Sequence, residues 1–522
     1  MQIFIKHLLI FLLFLNQSTF SQQYFQVKNP AIPGFSPDPA FCRVGDVYYV
    51  ANSTFSWFPG ITIYKSTDLA NWDLVGHALT SKQQLDLRHY EADWGIWAPD
   101  LTYDGKCFFM TYTIFNVDNG TIYEHNYCTT ATSVEGPWTA PQLLTNIGID
   151  PSIFHNADGK KYILTNGHIY LPEDKAYFEK NGGYSAYINR GALRQIFIQE
   201  INAEGTKALG APVEISRGTE IQYSEGPRLY KHKDWYFLIL AEGTTFWTHA
   251  VTIFRSKNIR GPYEAYSGNP ILSAYNNPKH PLQKSGHAAL VETPDGRCII
   301  SFLASRPLNI SASKNEKSED KSNNLLFAKS TGDDRRSVLG RETCFQEMRW
   351  TEDDWLVPVS GEKLPSLSYN AMAPRNKDWS LHFNFAQLNK LPVDIQSFCS
   401  AYDSTWVSLD KGSLKILGRD ALTSVNTPSL LAVRLRSFTT EMTSCFSFQP
   451  RNSFQSAGIT FFYSNKCFYY LNKTFRQGVG NIVELVCSNQ GALKIISQKK
   501  IQSKKNIEMK CSVDSIYCSF AF

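Results

Sequence analysis

Three acidic residues of this sequence stand in local settings that could serve acid–base chemistry. Asp38 lies between two prolines in the segment Gly34–Ala40, Asp150 also precedes a proline, and Glu225 precedes a Gly-Pro pair. Cleavage of a glycosidic bond needs such groups, because a protonated carboxyl donates to the leaving oxygen while a carboxylate activates water on the opposite face. A third carboxylate nearby can raise the pKa of the acid by like-charge repulsion. Each motif taken alone is more often an ordinary turn or cap.

A repeat along the chain predicts how these residues are positioned. Each unit has an Asp-Gly type turn, β-rich strands and, in most cases, a Gly-Pro-aromatic corner, with a period of about 55–75 residues. That period suffices for a four-stranded blade, and radial repetition of blades forms a β-propeller. We therefore predict a five-bladed β-propeller over residues 22–355. The turns of the five units begin near Asp46, Asp104, Asp158, Lys233 and Asp295.

This architecture explains how the three acids could act together. Asp38, Asp150 and Glu225 each stand at the entrance of a blade. The innermost strand of a blade starts near the central axis, so equivalent positions of different blades converge there. The sequence therefore predicts one axial pocket that holds all three carboxyl groups.

A second domain is predicted after the propeller. Beyond about Pro358 the Asp-Gly turns become rare, and short alternating strands such as Ser380–Phe385 and Cys467–Leu471 appear. This pattern is typical of a β-sandwich. We predict a sandwich over residues 360–522, which makes the whole fold all-β.

The N-terminal segment 1–21 has the pattern of a secretory signal peptide. Lys6 and His7 precede an apolar run from Leu8 to Leu15, and small polar residues follow. The run is too short to span a bilayer, and no later stretch approaches the ~20 apolar residues of a membrane helix. We expect a secreted or periplasmic protein without membrane association after signal removal; a retained anchor is the alternative.

Composition excludes several other classes of function. The net charge is only +5, from 52 basic and 47 acidic residues, which gives no basic patch for nucleic acid. Aromatic residues make up 14% of the chain, which suits interlocked sheets and sites that stack against sugars. The eleven cysteines show no metal-ligand spacing, so we expect no metal–cysteine site. The sequence gives no oligomeric state.

Six motifs in order resemble those of one known family. Together they look like glycoside hydrolase family 43, in its β-xylosidase branch, and the resemblance covers nearly the whole mature chain, including the stretch Leu339–Thr343. It implies that the C-terminal sandwich is concanavalin-like. The motifs are Ser36–Pro39, Trp97–Asp100, Ile149–Ser152, Ser224–Pro227, Ser285–Ala288 and Ala304–Pro307.

The resemblance implies a role for each acid. Asp38 matches the general base, Glu225 the general acid, and Asp150 the residue that tunes the pKa of the acid and orients it. The family inverts the anomeric configuration, which requires the acid and base carboxyls to be roughly 6.5–9.5 Å apart to admit water.

The resemblance also implies substrate-binding residues. Phe55 and Trp97 match aromatic walls of the sugar pocket, although aromatic neighbours of Phe55 could replace it and a tryptophan such as Trp97 is often a core residue. His287 matches an axial histidine that contacts the sugar. The alternative is a buried core histidine whose hydrogen bonds are made within the protein. Arg306 matches a residue that binds sugar hydroxyls, with a surface salt bridge as the alternative. No cofactor is implied; the resemblance allows a structural calcium near the propeller axis.

The sequence departs from the family pattern in two places. Between Asn166 and Gly191 the third blade carries extra residues that could reshape the pocket rim. The chain also stops at Phe522, where relatives of this branch continue with further sandwich strands. We therefore expect an incomplete sandwich that exposes an unpaired sheet edge.

Three functions remain open at this point. The first is a glycosidase that releases xylose from the non-reducing ends of β-1,4-xylo-oligosaccharides. The second is an α-L-arabinofuranosidase or arabinan-degrading enzyme on the same scaffold. The third is a carbohydrate-binding propeller without catalysis, against which the presence of all three acids argues.

Overall fold

The computed structural model describes residues 23–118, 121–167, 195–309, 335–410, 412–502 and 506–522. Within these ranges the regular structure is β-sheet, apart from one short 3-10 helix at Phe385–Gln387. The predicted all-β class is confirmed. The predicted signal peptide and most of the extra residues after Asn166 lie outside the described residues.

Five antiparallel sheets, each built from strands that follow one another in sequence order, form the blades of a propeller. In blade 4 a short strand, Leu272–Ser273, also pairs with the third strand. Blades 1 and 2 comprise Ala40–Val44, Val47–Asn52, Gly60–Ser66 and Asp73–Leu79, then Gly95–Tyr103, Phe108–Asp118, Thr121–Ala131 and Gln142–Thr145. Blade 3 comprises Ile149–His155, Lys161–Gly167, Gln195–Ile201 and Ala208–Ser216. Blades 4 and 5 comprise Glu225–His232, Trp235–Glu242, Ala250–Ser256 and Glu264–Ala265, then Gln283–Glu292, Cys298–Ser305, Glu342–Trp350 and Leu356–Pro358.

The first strands of the blades line the centre of the propeller. Each of them contacts the first strands of the two neighbouring blades, so the five form a closed ring. Aromatic packing joins the first blade to the last, since Trp72 stacks on Phe345 at 5.3 Å between ring centroids and Phe41 lies 4.9 Å from Phe345. The ring closure brings residues from both ends of the propeller sequence to the same axis.

The same backbone irregularity occurs in every blade where the first strand meets the axis. Asp38, Ala98, Asp150, Gly226 and His287 have φ between 40° and 57°. In blades 2 to 5 this residue lies at a break in the strand register, and in blade 1 it lies two residues ahead of the strand. A bulge of this kind turns a side chain out of the regular alternation, and left-handed backbone at non-glycine residues is characteristic of functional sites.

The segment before Asp38 is bound to blade 5. Phe25–Lys28 first pairs with Ser368–Ala371 beyond the propeller. The chain then runs beside the third strand of blade 5, where the backbone N–H of Ser36 donates to the carbonyl of Arg341 at 2.9 Å. These bonds place Asp38 next to Arg341.

The second domain contains two main sheets. Their facing side chains form a small apolar core that includes Ile459, Leu471, Val483 and Met509. The first sheet has three strands, Thr439–Ser447, Asn506–Asp514 and Tyr517–Ala521. The second has four strands, Ser456–Ser464, Cys467–Arg476, Gly480–Asn489 and Ala492–Lys500. Two smaller sheets accompany them. In one, Gln396–Phe398 pairs with Leu431–Ala432 and with Trp57–Phe58 of the propeller sequence; in the other, Val407–Asp410 pairs with Ser413–Ile416. The edge strand Ala492–Lys500 is exposed at every residue.

The sandwich packs directly on the part of blade 1 that leads to the axis. Trp57 pairs as a strand residue with Phe398, and the two rings lie 5.5 Å apart, with Phe462 5.2 Å from Phe398. An ion pair of 2.8 Å joins Lys466 of the sandwich to Glu91 of the propeller. The sandwich therefore buttresses the segment that carries Phe55.

Two general features complete the fold. None of the eleven cysteines is paired, and all of them lie in described parts of the chain. Among the described residues, no helix has the length and apolar character that a membrane crossing requires.

Candidate active site

Asp38 is an ion-paired and oriented carboxylate. Its Oδ1 lies 2.8 Å from Nη1 of Arg341, and its Oδ2 accepts a hydrogen bond of 2.6 Å from the Ser53 hydroxyl. The Ser53 oxygen in turn accepts from the backbone N–H of Ala98 at 2.7 Å, which fixes the direction of its own proton. With both oxygens engaged and only 5% of the residue exposed, Asp38 has the environment of a positioned base.

Asp150 lies at the equivalent bulge of blade 3. Its Oδ2 accepts a hydrogen bond of 2.9 Å from the backbone N–H of Gly226, and its own N–H donates to the Thr113 hydroxyl at 3.1 Å. Burial, followed by the negative charge of Asp38, raises the pKa of Asp150 to about 7, although the Gly226 N–H opposes this rise. Asp150 is thus linked to the backbone of the residue that follows Glu225.

Glu225 is a carboxyl whose surroundings favour its protonated form. Burial raises its pKa well above the usual range, and the charges of Asp150 and Asp38 raise it further. The guanidinium of Arg341 opposes these effects. A largely buried, protonated carboxyl beside an ion-paired carboxylate is the arrangement that a general acid and a general base require.

The two predicted aromatic residues lie side by side next to this cluster. The rings of Phe55 and Trp97 are 6.2 Å apart, and the guanidinium carbon of Arg341 lies 5.4 Å from the centre of the Phe55 ring. Trp97 is held by stacking on Phe115, with centroids 4.0 Å apart and planes 5° from parallel. Trp97 also occupies the same register in blade 2 as Glu225 in blade 4, one residue before the bulge.

The aromatic neighbours of Phe55 are engaged elsewhere. Trp57 packs against the sandwich, and Phe58 is buried in the core between blades 1 and 2. Of the three aromatic residues in this segment, Phe55 is the one whose ring lies near Arg341 and Trp97.

His287 stands at the bulge of blade 5, at the position equivalent to Asp38 and Asp150. It is buried beside Gly226, where a Cβ atom would come within 2.9 Å of the imidazole Cε1. Burial and the nearby cation Arg228 lower the pKa of His287 well below its usual range. The structure therefore presents a neutral imidazole toward the axis.

Arg306 forms an ion pair with Glu342. Its Nε and Nη2 bind both oxygens of Glu342 at 2.6 and 2.8 Å, and Glu342 also accepts from the backbone N–H of Gly34 at 2.8 Å. Its guanidinium also lies 4.8 Å from the ring of Phe438 in the sandwich. Arg306 thus supports the segment that leads to Asp38, and its predicted contact with sugar hydroxyls stays a prediction.

Arg341 is the site residue that sequence reasoning missed. It forms the 2.8 Å ion pair with Asp38 and lies over Phe55. The motif Leu339–Thr343 contains this arginine, but spacing alone gives no reason to place it at the axis. Its position depends on the pairing of the N-terminal segment with blade 5, which is a long-range contact.

The calcium that the resemblance allows is a prediction about the residues near the axis. The buried guanidinium of Arg228 acts on both His287 and Asp150, and it pairs with Asp100 at 3.0 Å. Across the described ranges, no cluster of three or more His, Cys, Asp or Glu side chains could hold a metal.

A propeller that gathers an ion-paired carboxylate, a protonated carboxyl and aromatic walls at its axis has the site of a glycosidase. The model of the family Glycosyl hydrolases family 43 matches residues 27–356, and that of the Beta xylosidase C-terminal Concanavalin A-like domain matches residues 382–522. The chain belongs to glycosyl hydrolases family 43, and the concanavalin-like nature of its sandwich is confirmed.

Individual relatives support this assignment. A xylosidase/arabinosidase 43B of Humicola insolens is 37% identical over 460 residues, which cover 85% of this chain and 76% of the relative. A β-xylosidase of Bacillus subtilis is 33% identical over 517 residues, or 95% of this chain and 89% of the relative. The crystal structure of a xylan β-1,4-xylosidase from Bacillus halodurans superposes with a TM-score of 0.82 at 32% identity, covering 95% of this chain and 88% of that one.

Proposed function

We propose that this protein is an inverting exo-glycosidase that releases xylose from the non-reducing ends of β-1,4-xylo-oligosaccharides. The observation that carries the proposal is the difference in protonation state between the carboxyl groups. Asp38 is paired with a cation, whereas burial and neighbouring negative charge keep Glu225 protonated. A lectin needs no such division, so a catalytic role is favoured over a binding module.

The proposed reaction uses two proton transfers. Glu225 gives its proton to the glycosidic oxygen as the bond from that oxygen to the anomeric carbon breaks. Asp38 takes a proton from a water molecule, whose oxygen forms a new bond to the anomeric carbon from the opposite face. The product sugar has inverted configuration, Glu225 ends as a carboxylate, and Asp38 ends protonated; exchange with solvent restores both.

The remaining site residues would bind the sugar. Phe55 and Trp97 offer apolar faces to the sugar ring, and Arg341 offers N–H donors beyond the one that binds Asp38. Neutral His287 offers one ring nitrogen as a donor and the other as an acceptor. These contacts would orient the anomeric carbon between the acid and the base.

A second candidate substrate has a specific observation in its favour. The relative from Humicola insolens, at 37% identity, carries both xylosidase and arabinosidase in its name. An α-L-arabinofuranoside and a β-xyloside can present similar hydroxyl arrangements near the scissile bond, so one pocket could accept both.

Rates on two nitrophenyl glycosides test the proposal. We expect the purified chain to hydrolyse nitrophenyl β-xyloside with a kcat/KM higher than that for nitrophenyl α-arabinofuranoside. The reverse order would assign the chain to the arabinofuranosidases. Absence of turnover on either substrate, by protein shown to be folded, would favour the binding module. NMR of the early product from nitrophenyl β-xyloside would show α-xylose first if the reaction inverts.

Replacing Asp150 with Asn should move the alkaline limb of the pH–rate profile to lower pH. The charge of Asp150 raises the pKa of Glu225, so its removal lets Glu225 lose its proton at lower pH. Burial is the larger cause and remains, so the shift should be partial. The limbs are macroscopic properties of a coupled group, so the direction of the shift is the readout. An alkaline limb that stays in place would leave Asp150 with only an orienting role through Gly226.

Localisation and cofactor requirements complete the proposal. The pattern of residues 1–21 supports export to the periplasm or the extracellular space, where xylan fragments would be met. The two-proton mechanism has no step that involves a cofactor, and a structural calcium near the axis stays a prediction.

A further inference from the structure

His249 is a buried histidine behind the general acid, and the mechanism above does not use it. It precedes the third strand of blade 4, and its side chain is fully buried. Its Nδ1 lies 3.1 Å from the backbone carbonyl oxygen of Lys284. Because a carbonyl can only accept, Nδ1 carries the proton and Nε2 carries the lone pair.

The lone pair of His249 faces Glu225. Nε2 lies 4.0 Å from Oε1 of Glu225 and has no hydrogen-bond partner within the described parts of the chain. The backbone of Gly286 packs against the same nitrogen so closely that a Cβ atom there would approach it to 2.3 Å. The imidazole is therefore fixed between the Lys284 carbonyl and Gly286, with its acceptor nitrogen toward the acid.

The titratable groups around His249 come from blades 4 and 5 and from the segment before blade 1. Glu225 comes from blade 4, Arg341 and His287 from blade 5, and Asp38 from the segment before blade 1. Burial is the main influence and lowers the pKa of His249 to about 4, with Arg341 acting in the same direction. His249 is therefore neutral around neutral pH.

We propose that His249 is a positioning residue for the general acid, and that its neutral Nε2 accepts a hydrogen bond from the protonated carboxyl of Glu225. A closure of about 1 Å brings the two atoms to hydrogen-bond distance. The protonated carboxyl of Glu225 is stabilised because its O–H can donate to Nε2. The ionised carboxylate is destabilised because it has no proton to donate and faces the lone pair of Nε2. The contact therefore keeps Glu225 protonated and oriented until the glycosidic oxygen takes the proton, and His249 itself never changes its protonation.

The inference rests on the proposed function, because it assigns a partner to the proposed acid. Substitution of His249 by Phe keeps a buried ring and removes the acceptor. The expected result is a fall in kcat on xylobiose of about tenfold or more, with a fall of at most about threefold on an aryl β-xyloside whose leaving group needs little protonation. The alkaline limb should also move to lower pH. His249→Gln, with an amide oxygen in reach of Glu225, should recover part of both properties.

His77 provides a matched control. It is another buried histidine with an unpartnered Nε2 in the described structure, and it lies on the outermost strand of blade 1. His77→Phe should leave the ratio of the two rates and the alkaline limb unchanged. Equal losses on both substrates in His249→Phe, or the same selective loss in His77→Phe, would overturn the proposal.

A measurement without turnover separates this inference from the proposed function. Infrared difference spectra between the substrate-free protein and Glu225→Gln follow the protonation of the Glu225 carboxyl directly. In His249→Phe that carboxyl should ionise at lower pH than in the parent protein. An unchanged titration would refute the role of His249 even in an active enzyme, and the expected shift would support it even if xylobiose is not the substrate.

Discussion

Replacing Asp38 with Asn is expected to lower kcat about 10²–10⁴-fold on both xylobiose and an aryl β-xyloside. Asp38 is the carboxylate held by Arg341 and Ser53, so the amide keeps much of the shape but cannot take a proton from water. Activation of water is needed whatever group leaves, and for this reason the loss should not depend on the leaving group. Steady-state rates on the two substrates give the measurement.

Asp46→Asn is a suitable control for this experiment. Asp46 lies in the exposed turn between the first two strands of the same blade, away from the axis. Its substitution should leave both rates near those of the parent protein. Near-parental rates in Asp38→Asn as well would remove Asp38 from the role of base, and a loss confined to xylobiose would point to leaving-group protonation instead.

The propeller could be predicted because its signals are local and repeated. Each hairpin turn and each strand is encoded within one unit, and the repetition of the unit predicts that the blades are arranged around an axis. The convergence of Asp38, Asp150 and Glu225 followed from that repeat. The structure adds a finer regularity: a left-handed residue occurs at or just before the first strand in all five blades, and in four of them a proline follows it.

The proline that follows each of the two aspartates does not account for their backbone conformation. A proline restricts the preceding residue mainly to extended backbone, yet Asp38 and Asp150 have φ of 52° and 55°. The bulge at the axis imposes this conformation, and aspartate tolerates it better than most residues. The type of residue at each of these positions then determines which side chain lies near the propeller axis.

The arginine of the site could not be predicted from local signals. Arg306 and Arg341 are both in blade 5 and both pair with buried acids. Which of them meets Asp38 depends on how the N-terminal segment lies against Glu342–Trp350, a contact between residues some 300 positions apart. The support of Phe55 by the sandwich through Trp57 and Phe398 is long-range in the same sense.

Replacing Glu225 with Gln is expected to abolish most hydrolysis of xylobiose while sparing an activated aryl xyloside. The leaving sugar of xylobiose departs as an alkoxide unless it is protonated, so loss of the proton donor should cost about 10²–10⁴-fold in kcat. An aryl group with an acidic phenol leaves without that help, and its rate should fall far less.

The pH profile provides a second readout for the same variant. Burial and the charges of Asp150 and Asp38 raise the pKa of Glu225, so in the proposed mechanism the ionisation of this carboxyl sets the alkaline limb. Gln cannot ionise, so in Glu225→Gln the alkaline limb for the aryl substrate should flatten. Equal losses on both substrates, or an alkaline limb that survives in the variant, would assign the proton donor to another residue. Asp150 would then be the first to test, because its pKa is also raised and its Oδ2 already contacts the backbone next to Glu225.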